Sequence, residues 1–308
     1  MVALAIVASG CGKSTAAAPK APVDTTYVTA SSAESSVPTS LPPSAGPQSS
    51  ETPAAPVGRL LEAGLDGEDV TKLQTRLNEL GFDVRKPDKY FGEQTKKAIW
   101  SYQQRVLGLP TDEVTGKVTP ALFTRIMQPL DLPPRRPDAS STHAEIDLPS
   151  QTMVVYVDKV VKLITHVSSG SGEKWCAQPR NVPDYIGATT TTLPAGRRMR
   201  RVCGISLTPA GVYKIDRKEK GWYDIPLGKV YNPMFFNGGI AIHGYQDIPF
   251  LPASHGCVRI PMHIAEYLGD ILHTGDQVYV FDGVKEPEEY SSPVPPQDEP
   301  DPTDTSGG

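Results

Sequence analysis

One short stretch of the 308-residue chain brings together residue types that can do covalent chemistry: SHGCVRI, Ser254 to Ile260, preceded by IHG at Ile242 to Gly244. A free thiol is only a few per cent ionised at neutral pH, so a cysteine nucleophile needs a base within hydrogen-bond reach. Two histidines are candidates for Cys257. His255 lies two residues before it and, in an extended segment, points to the same side. His243 closes IAIHG, whose alternation puts Ile240 and Ile242 on one face and His243 on the other. Gly256 permits a tight turn before the nucleophile, which makes the Gly256 and Cys257 amides candidates for holding a developing oxyanion. A metal reading of His243, His255, Cys257 and His263 fails because no spacing matches a structural zinc pattern. His143 and His166 sit within strand patterns and read as ordinary histidines. His273 is expected to cap helix carbonyls.

The chain has four cysteines, Cys11, Cys176, Cys203 and Cys257. The first eleven residues, MVALAIVASGC, look like the end of a bacterial lipoprotein signal peptide, with small residues before a cysteine that would take lipid, although the basic start is missing. The alternatives are a merely apolar N-terminus and a phosphate-binding loop at GCGKST. The loop requires Gly where Val7 stands and a helix where a Pro/Ser-rich stretch follows. A lipidated Cys11 gives one anchor at the membrane face, and no later stretch is apolar and long enough to span a bilayer. Export implies an oxidising compartment. Cys176 and Cys203 both lie in the long loop between VSSGSG and TPAGVY, and a disulfide between them would stabilise that loop by about 3 kcal/mol on the chain-entropy model; the alternative is two unpaired thiols. Cys257 is then the cysteine left for chemistry.

Composition excludes other classes. The net charge is −5, and no basic stripe with interleaved aromatics suggests nucleic acid; the run RRMRR, Arg197 to Arg201, reads as a solvated or anionic-polymer-facing loop. Residues 12–56 are Ala-, Ser-, Thr- and Pro-rich, too apolar-poor to fold, and are expected to form a disordered tether. The acidic, proline-rich tail, 284–308, is expected to be disordered as well.

Two folded segments must position the reactive residues. Within 57–128, Val70, Leu73, Leu77 and Leu80 fall on one helical face, with Asp66 as expected N-cap, Asp69 three residues later and Gly81 as terminator. A second helix is expected over 93–106, presenting Ala98, Ile99, Tyr102 and Val106. A third starts at Thr119 with Pro120 in its first turn, giving a small three-helix bundle. Residues 129–142, with PLDLPPRRPD, read as a stiff proline-rich linker. Beyond it the period changes to two: EIDL, MVVYV, VVKLITHV, GVYKID, GGIAIHG and VYVFDG predict a mostly β domain over 143–283 with one helix, Pro261 to Leu272.

The segment Gly64 to Phe82, followed by YFGEQTKKAI and YQQRVLGL, resembles the peptidoglycan-binding domain type 1 family, departing from it where DKYFG replaces the usual D-G. The segment HGYQDIPFLPASHGCVRIPM resembles the signature of the YkuD-type L,D-transpeptidase catalytic domain: a histidine, a variable stretch, then [ST]-x-G-C, a hydrophobic residue and Asn or Arg. Here the spacer is short and Arg259 stands in the last position. The resemblance implies Cys257 as nucleophile, His243 as base oriented by a backbone carbonyl near Gly244, Ser254 and His255 as residues that shape the site, and Arg259 as a substrate or structural contact. It also implies no cofactor, peptidoglycan stem peptides and glycan as partners, an extracytoplasmic location, and acylation of Cys257 by penem and carbapenem β-lactams. The implied reaction cuts a tetrapeptide stem after its third residue, releases D-alanine, and passes the acyl group to a neighbouring stem's amine, with the Cys176 to Cys203 loop as expected lid. Hydrolysis of the same bond by an L,D-carboxypeptidase, and a non-catalytic wall-binding lipoprotein, remain the alternatives.

Overall fold

The structure is a computed structural model that describes residues 58–176, 202–225, 227–290 and 299–300. The expected lipid site at Cys11, the tether, Arg197 to Arg201 and the body of the expected lid lie outside the described residues.

The helical region comprises α1 (Glu68–Glu79), α2 (Glu93–Ser101), continued by one π-helical turn (Tyr102–Val106), and α3 (Pro120–Ile126). Its core is built from Leu61, Val70, Leu73, Leu77, Phe82, Phe91, Ile99, Tyr102, Phe123 and Ile126. Thr119 caps α3, its hydroxyl accepting from the Leu122 amide at 3.2 Å. The expected cap of α1 differs. Gly67 occupies the N-cap with no side-chain hydrogen bond, while Asp66 forms a backbone bridge with Tyr90 and Asp69 is drawn outward to the Arg59 guanidinium at 2.8 Å.

The β region holds two sheets. One runs β3-β2-β1-β12-β6, from Val160–His166, Thr152–Val157, Thr142–Asp147, Gln277–Phe281 and Gly211–Lys214; the other runs β11-β10-β9-β7, from Val258–Pro261, Ile240–Tyr245, Gly228–Asn237 and Arg217–Lys218, with β8 (Trp222–Ile225) also pairing β9. Between them lies a core of Ile146, Met153, Val155, Leu163, Met234, Phe236, Ile240, Ile242, Val258 and Ile260, closed by Ile264, Leu268 and Leu272. The single helix expected here is two short ones, α4 (Met262–Ala265) and α5 (Leu268–Ile271). His273 does not cap them. Its side chain is exposed and turns to Asp276, and the Lys218 ammonium donates to the Gly269 and Leu272 carbonyls at 2.7 and 3.1 Å instead; a lysine at a helix C-terminus also complements the helix dipole.

The helical and β regions are not beads on a spacer. Along β2 and β3, Met153, Val155 and Leu163 face the inter-sheet core, while Val154, Tyr156 and Ile164 belong to the core of the bundle. The Ile164 amide donates to the Gly81 carbonyl at 2.8 Å, and the Tyr267 hydroxyl to Asp83 at 2.7 Å. The expected linker is docked too: Leu130 and Leu132 pack on the same cluster, and the Arg135 guanidinium lies 4.6 Å from the Phe281 ring centroid and 2.5 Å from Asp147. Nor is the start of the tail disordered. Pro287–Glu289 forms a 3₁₀ turn because Arg136 grips both oxygens of Glu288 at 2.8 and 2.7 Å and also pairs with Glu286. Further on, β13 (Glu299–Pro300) pairs with β5 (Val202–Ile205).

Phe82 is fully buried where the two regions meet, and its backbone bridges to Ile164. Phe82→Ala removes about 3–5 kcal/mol and is expected to lower by roughly 10 °C or more the midpoint of one transition shared by both regions. Calorimetry checks this; two separate transitions, only one of them shifted, contradict the shared core.

Candidate active site

Strands β10 and β11 run parallel, with Ile242 opposite Val258, His243 opposite Arg259 and Gly244 opposite Ile260. Parallel neighbours carry their side chains on a common face at each level. His243 and Arg259 are therefore adjacent, Tyr245 follows His243 on the same face, and Cys257 stands just before the first paired residue of β11.

Each position is fixed by packing. Gly244 has no room for a side chain: a Cβ there would meet the Ala265 methyl at 2.8 Å and Tyr231 at 3.1 Å, so its absence lets β10 lie against α4. Gly256 has φ 130°, and a Cβ would lie 2.8 Å from the Leu207 carbonyl oxygen. Thr208 holds this turn, donating from its hydroxyl to the Gly256 carbonyl at 2.7 Å while accepting from the Gly170 amide at 2.9 Å. Ser254 is buried; its hydroxyl donates to the Cys257 carbonyl and accepts from the Gly256 amide at 3.0 Å. That last bond corrects one expectation. The Gly256 amide is taken by Ser254, which leaves the Cys257 amide as the remaining candidate of that pair.

His243 is buried, and its Nδ1 lies 3.0 Å from the Gly244 carbonyl. A carbonyl can only accept, so Nδ1 carries the proton and Nε2 is left as the basic nitrogen. Burial, with the Arg259 charge nearby, pushes the imidazole down to about 4. Burial pushes the Cys257 thiol up, against the lesser effects of the Ala241 amide and Arg259. Among the described residues no hydrogen bond joins the two; the thiol points to the Gly239 carbonyl at 3.8 Å. His255 is exposed, with its ring edge-on to Trp175 at 5.9 Å. Arg259 stacks on the Tyr245 ring, 4.2 Å from its centroid. His263 lies away from this cluster, with Nε2 3.2 Å from the Asp83 carbonyl.

Sequence reasoning did not single out Tyr245, Thr208 or Trp175. Tyr245 had a signal, its spacing of two from His243 on a strand; Trp175 and Thr208 reach the site only through tertiary structure. β4 (Lys174–Cys176) pairs with β5 so that Cys176 lies directly opposite Cys203; the side chains of both lie outside the described residues. Among the described residues no group of three or more His, Cys, Asp or Glu side chains is arranged to hold a metal ion.

Residues 141–280 match the L,D-transpeptidase catalytic domain family (YkuD), and residues 66–126 match the peptidoglycan binding domain of type 1. Residues 141–280 are a YkuD-type L,D-transpeptidase catalytic domain. The crystal structure of an L,D-transpeptidase fragment from Xylanimonas cellulosilytica superposes with TM-score 0.59 at 29% identity, covering 74% of this chain and 100% of that one. Among curated relatives, the N-acetylmuramoyl-L-alanine amidase CwlM of Mycobacterium tuberculosis is 47% identical over 57 residues, 18% of this chain and 14% of that protein. A spore cortex-lytic enzyme of Bacillus cereus is 36% identical over 67 residues, 22% of this chain and 26% of that protein.

Both shifts disfavour charge, so the site is expected to rest with a neutral thiol and a neutral imidazole rather than an ion pair. Alkylation of Cys257 by iodoacetamide, followed on its tryptic peptide, is expected to rise continuously through pH 9 with no plateau between pH 5 and 8. A plateau at neutral pH would show a preformed thiolate.

Proposed function

We propose that the chain is a peptidoglycan L,D-transpeptidase in which Cys257 is the nucleophile and His243 the base. The observation that supports this best is the fixed tautomer of His243, whose Nδ1 is tied to the Gly244 carbonyl, on a strand paired in parallel with the one that follows Cys257. Cys257 Sγ turns from the Gly239 carbonyl toward Nε2, loses its proton to it, and attacks the carbonyl carbon of the third residue of a tetrapeptide stem. The Cys257 amide holds the oxyanion. As the C–N bond to D-alanine breaks, His243 returns the proton to the leaving amine and a thioester remains. The side-chain amine of a neighbouring stem's third residue then attacks the thioester, forming an amide cross-link and releasing the thiol. Arg259, held flat on Tyr245, supplies positive charge beside the thiol for a substrate carboxylate. Strained penems and carbapenems acylate the same sulfur.

The type 1 domain grips wall polymer, which agrees with a location in the cell envelope. Lipid on Cys11 would add a membrane anchor. Export also makes a Cys176 to Cys203 disulfide part of this proposal. Directly opposed residues of an antiparallel pair have the Cα separation a disulfide needs.

Two measurements test the proposal. The full chain mixed with a disaccharide-tetrapeptide is expected to show a tripeptidyl adduct on Cys257 by intact mass, with dimeric products; Cys257→Ala abolishes the adduct, and His243→Ala slows its formation about 10²- to 10⁴-fold. Tripeptide alone as product would make the enzyme a carboxypeptidase, and no adduct would leave a wall-binding protein. Peptide mapping without reduction is expected to give a linked pair containing Cys176 and Cys203; alkylation of both without reductant would refute the bond.

A further inference from the structure

We propose that the peptidoglycan-binding-type bundle is also a positioning element of the active site, acting through Trp100 on the segment that leads to Cys257. Trp100, on α2, contacts two rings of the β region: His166 edge-on at 5.2 Å between centroids and Phe250 at 4.9 Å. His166 and Phe250 are themselves near-parallel, 15° between planes at 6.2 Å. Phe250 belongs to the connection between β10 and β11, so one side chain of the bundle bears directly on the chain between base and nucleophile.

The contacts continue to the thiol without a gap. His166 is buried and donates from Nε2 to the Pro249 carbonyl at 2.9 Å. Burial pushes this imidazole down to about 4, so it serves as a neutral donor. Beyond the end of β3, the Ser168 hydroxyl donates to the Leu251 carbonyl at 3.1 Å and accepts from the Ala253 amide at 3.0 Å. The Ser254 amide donates to the Ser169 carbonyl at 2.9 Å, and the Ser171 amide to the Ser254 carbonyl at 3.0 Å. Ser254 then holds the Gly256 amide and the Cys257 carbonyl. The Ala253 amide also donates to the Ser169 carbonyl at 3.1 Å, and among the described residues the 249–254 segment belongs to no regular strand or helix. Its only aromatic anchor among the described residues is Phe250, and Phe250 packs against a residue of the other domain. Removing Trp100 leaves Phe250 packed on one side, and the segment gains freedom that misplaces Ser254 and the turn at Gly256. A displacement of that kind acts on the reacting geometry and leaves remote substrate contacts untouched.

The proposal rests on Cys257 being the reacting thiol, and the test separates the two. In the full chain, Trp100→Ala is expected to slow acylation by imipenem about tenfold at saturation, with the half-saturating concentration changed less than twofold, while Trp100→Phe stays within twofold of the parent. Phe250→Ala reproduces the loss, and the Trp100→Ala/Phe250→Ala double variant is no slower than the slower single variant, as for two residues acting through one contact. Hydrogen exchange of the peptide spanning 249–257 is expected to quicken in Trp100→Ala. This readout needs no turnover, so it stands even if the parent protein is not acylated. Parent-like acylation and parent-like exchange in folded Trp100→Ala, or additive losses in the double variant, would overturn the proposal. If Trp100→Ala fails to fold, Phe250→Ala takes its place, and parent-like acylation and exchange in that variant overturn the proposal equally.

Discussion

The parallel pairing of β10 with β11 is the constraint on which the site depends. Parallel neighbours cannot be joined by a tight turn, so the chain must leave the sheet after Tyr245, travel outside it and re-enter at Val258. His243 sits on the outgoing strand and Cys257 at the point of return. The pairing thus brings His243 and Cys257 to one face of the sheet, two residues apart in register, and it creates an irregular connection that the sheet itself cannot hold. Two glycines make the geometry feasible: Gly244 where β10 presses on Ala265, and Gly256 where the returning turn presses on the Leu207 carbonyl. In both places the obstacle is rigid, a backbone oxygen or the methyl of a residue fixed in a helix, and neither can yield to a larger side chain.

The same packing sets the electrostatics. Taking His243 out of water fixes its ring but disfavours its charged form, and the thiol is disfavoured as an anion for the same reason. Both effects work against a standing thiolate. In the proposed reaction the enzyme would rely on proton transfer during attack, on the Cys257 amide as donor to the oxyanion, and on positive charge from Arg259 nearby. A neutral thiol is also a poorer target for adventitious oxidation.

Much of this was legible in the sequence because it is local. HG, the spacing to SHGC, the helical face of Val70, Leu73 and Leu77, and Pro120 after Thr119 are signals carried by neighbours in the chain. Several failures were cases in which a distant group outcompeted a local one: Asp69 is taken by Arg59, and the carbonyls at the end of α5 by Lys218. The Gly256 amide was lost to a near neighbour instead, the Ser254 hydroxyl two residues away. The acidic stretch after Gly283 reads as unfolded by composition, yet Arg136 lies far from it in sequence and meets its carboxylates. No rule of local propensity contains that information.

The docking of bundle on β domain did leave a trace. MVVYV has no polar residue at alternate positions, although a strand with one wet face should have them; a run that is apolar on both faces is one buried on both faces. Met153 and Val155 serve one core, Val154 and Tyr156 the other. The consequence reaches function. A binding domain on a flexible spacer only raises the local concentration of substrate, whereas one that shares a core with the catalytic domain holds whatever it grips at a fixed bearing to the nucleophile. The face of the bundle at Phe82 is spent on its contact with Ile164 of β3, so on the proposed function wall polymer would be met by the remaining surface of the bundle, and a stem presented from there would reach Cys257 along a direction set by the fold.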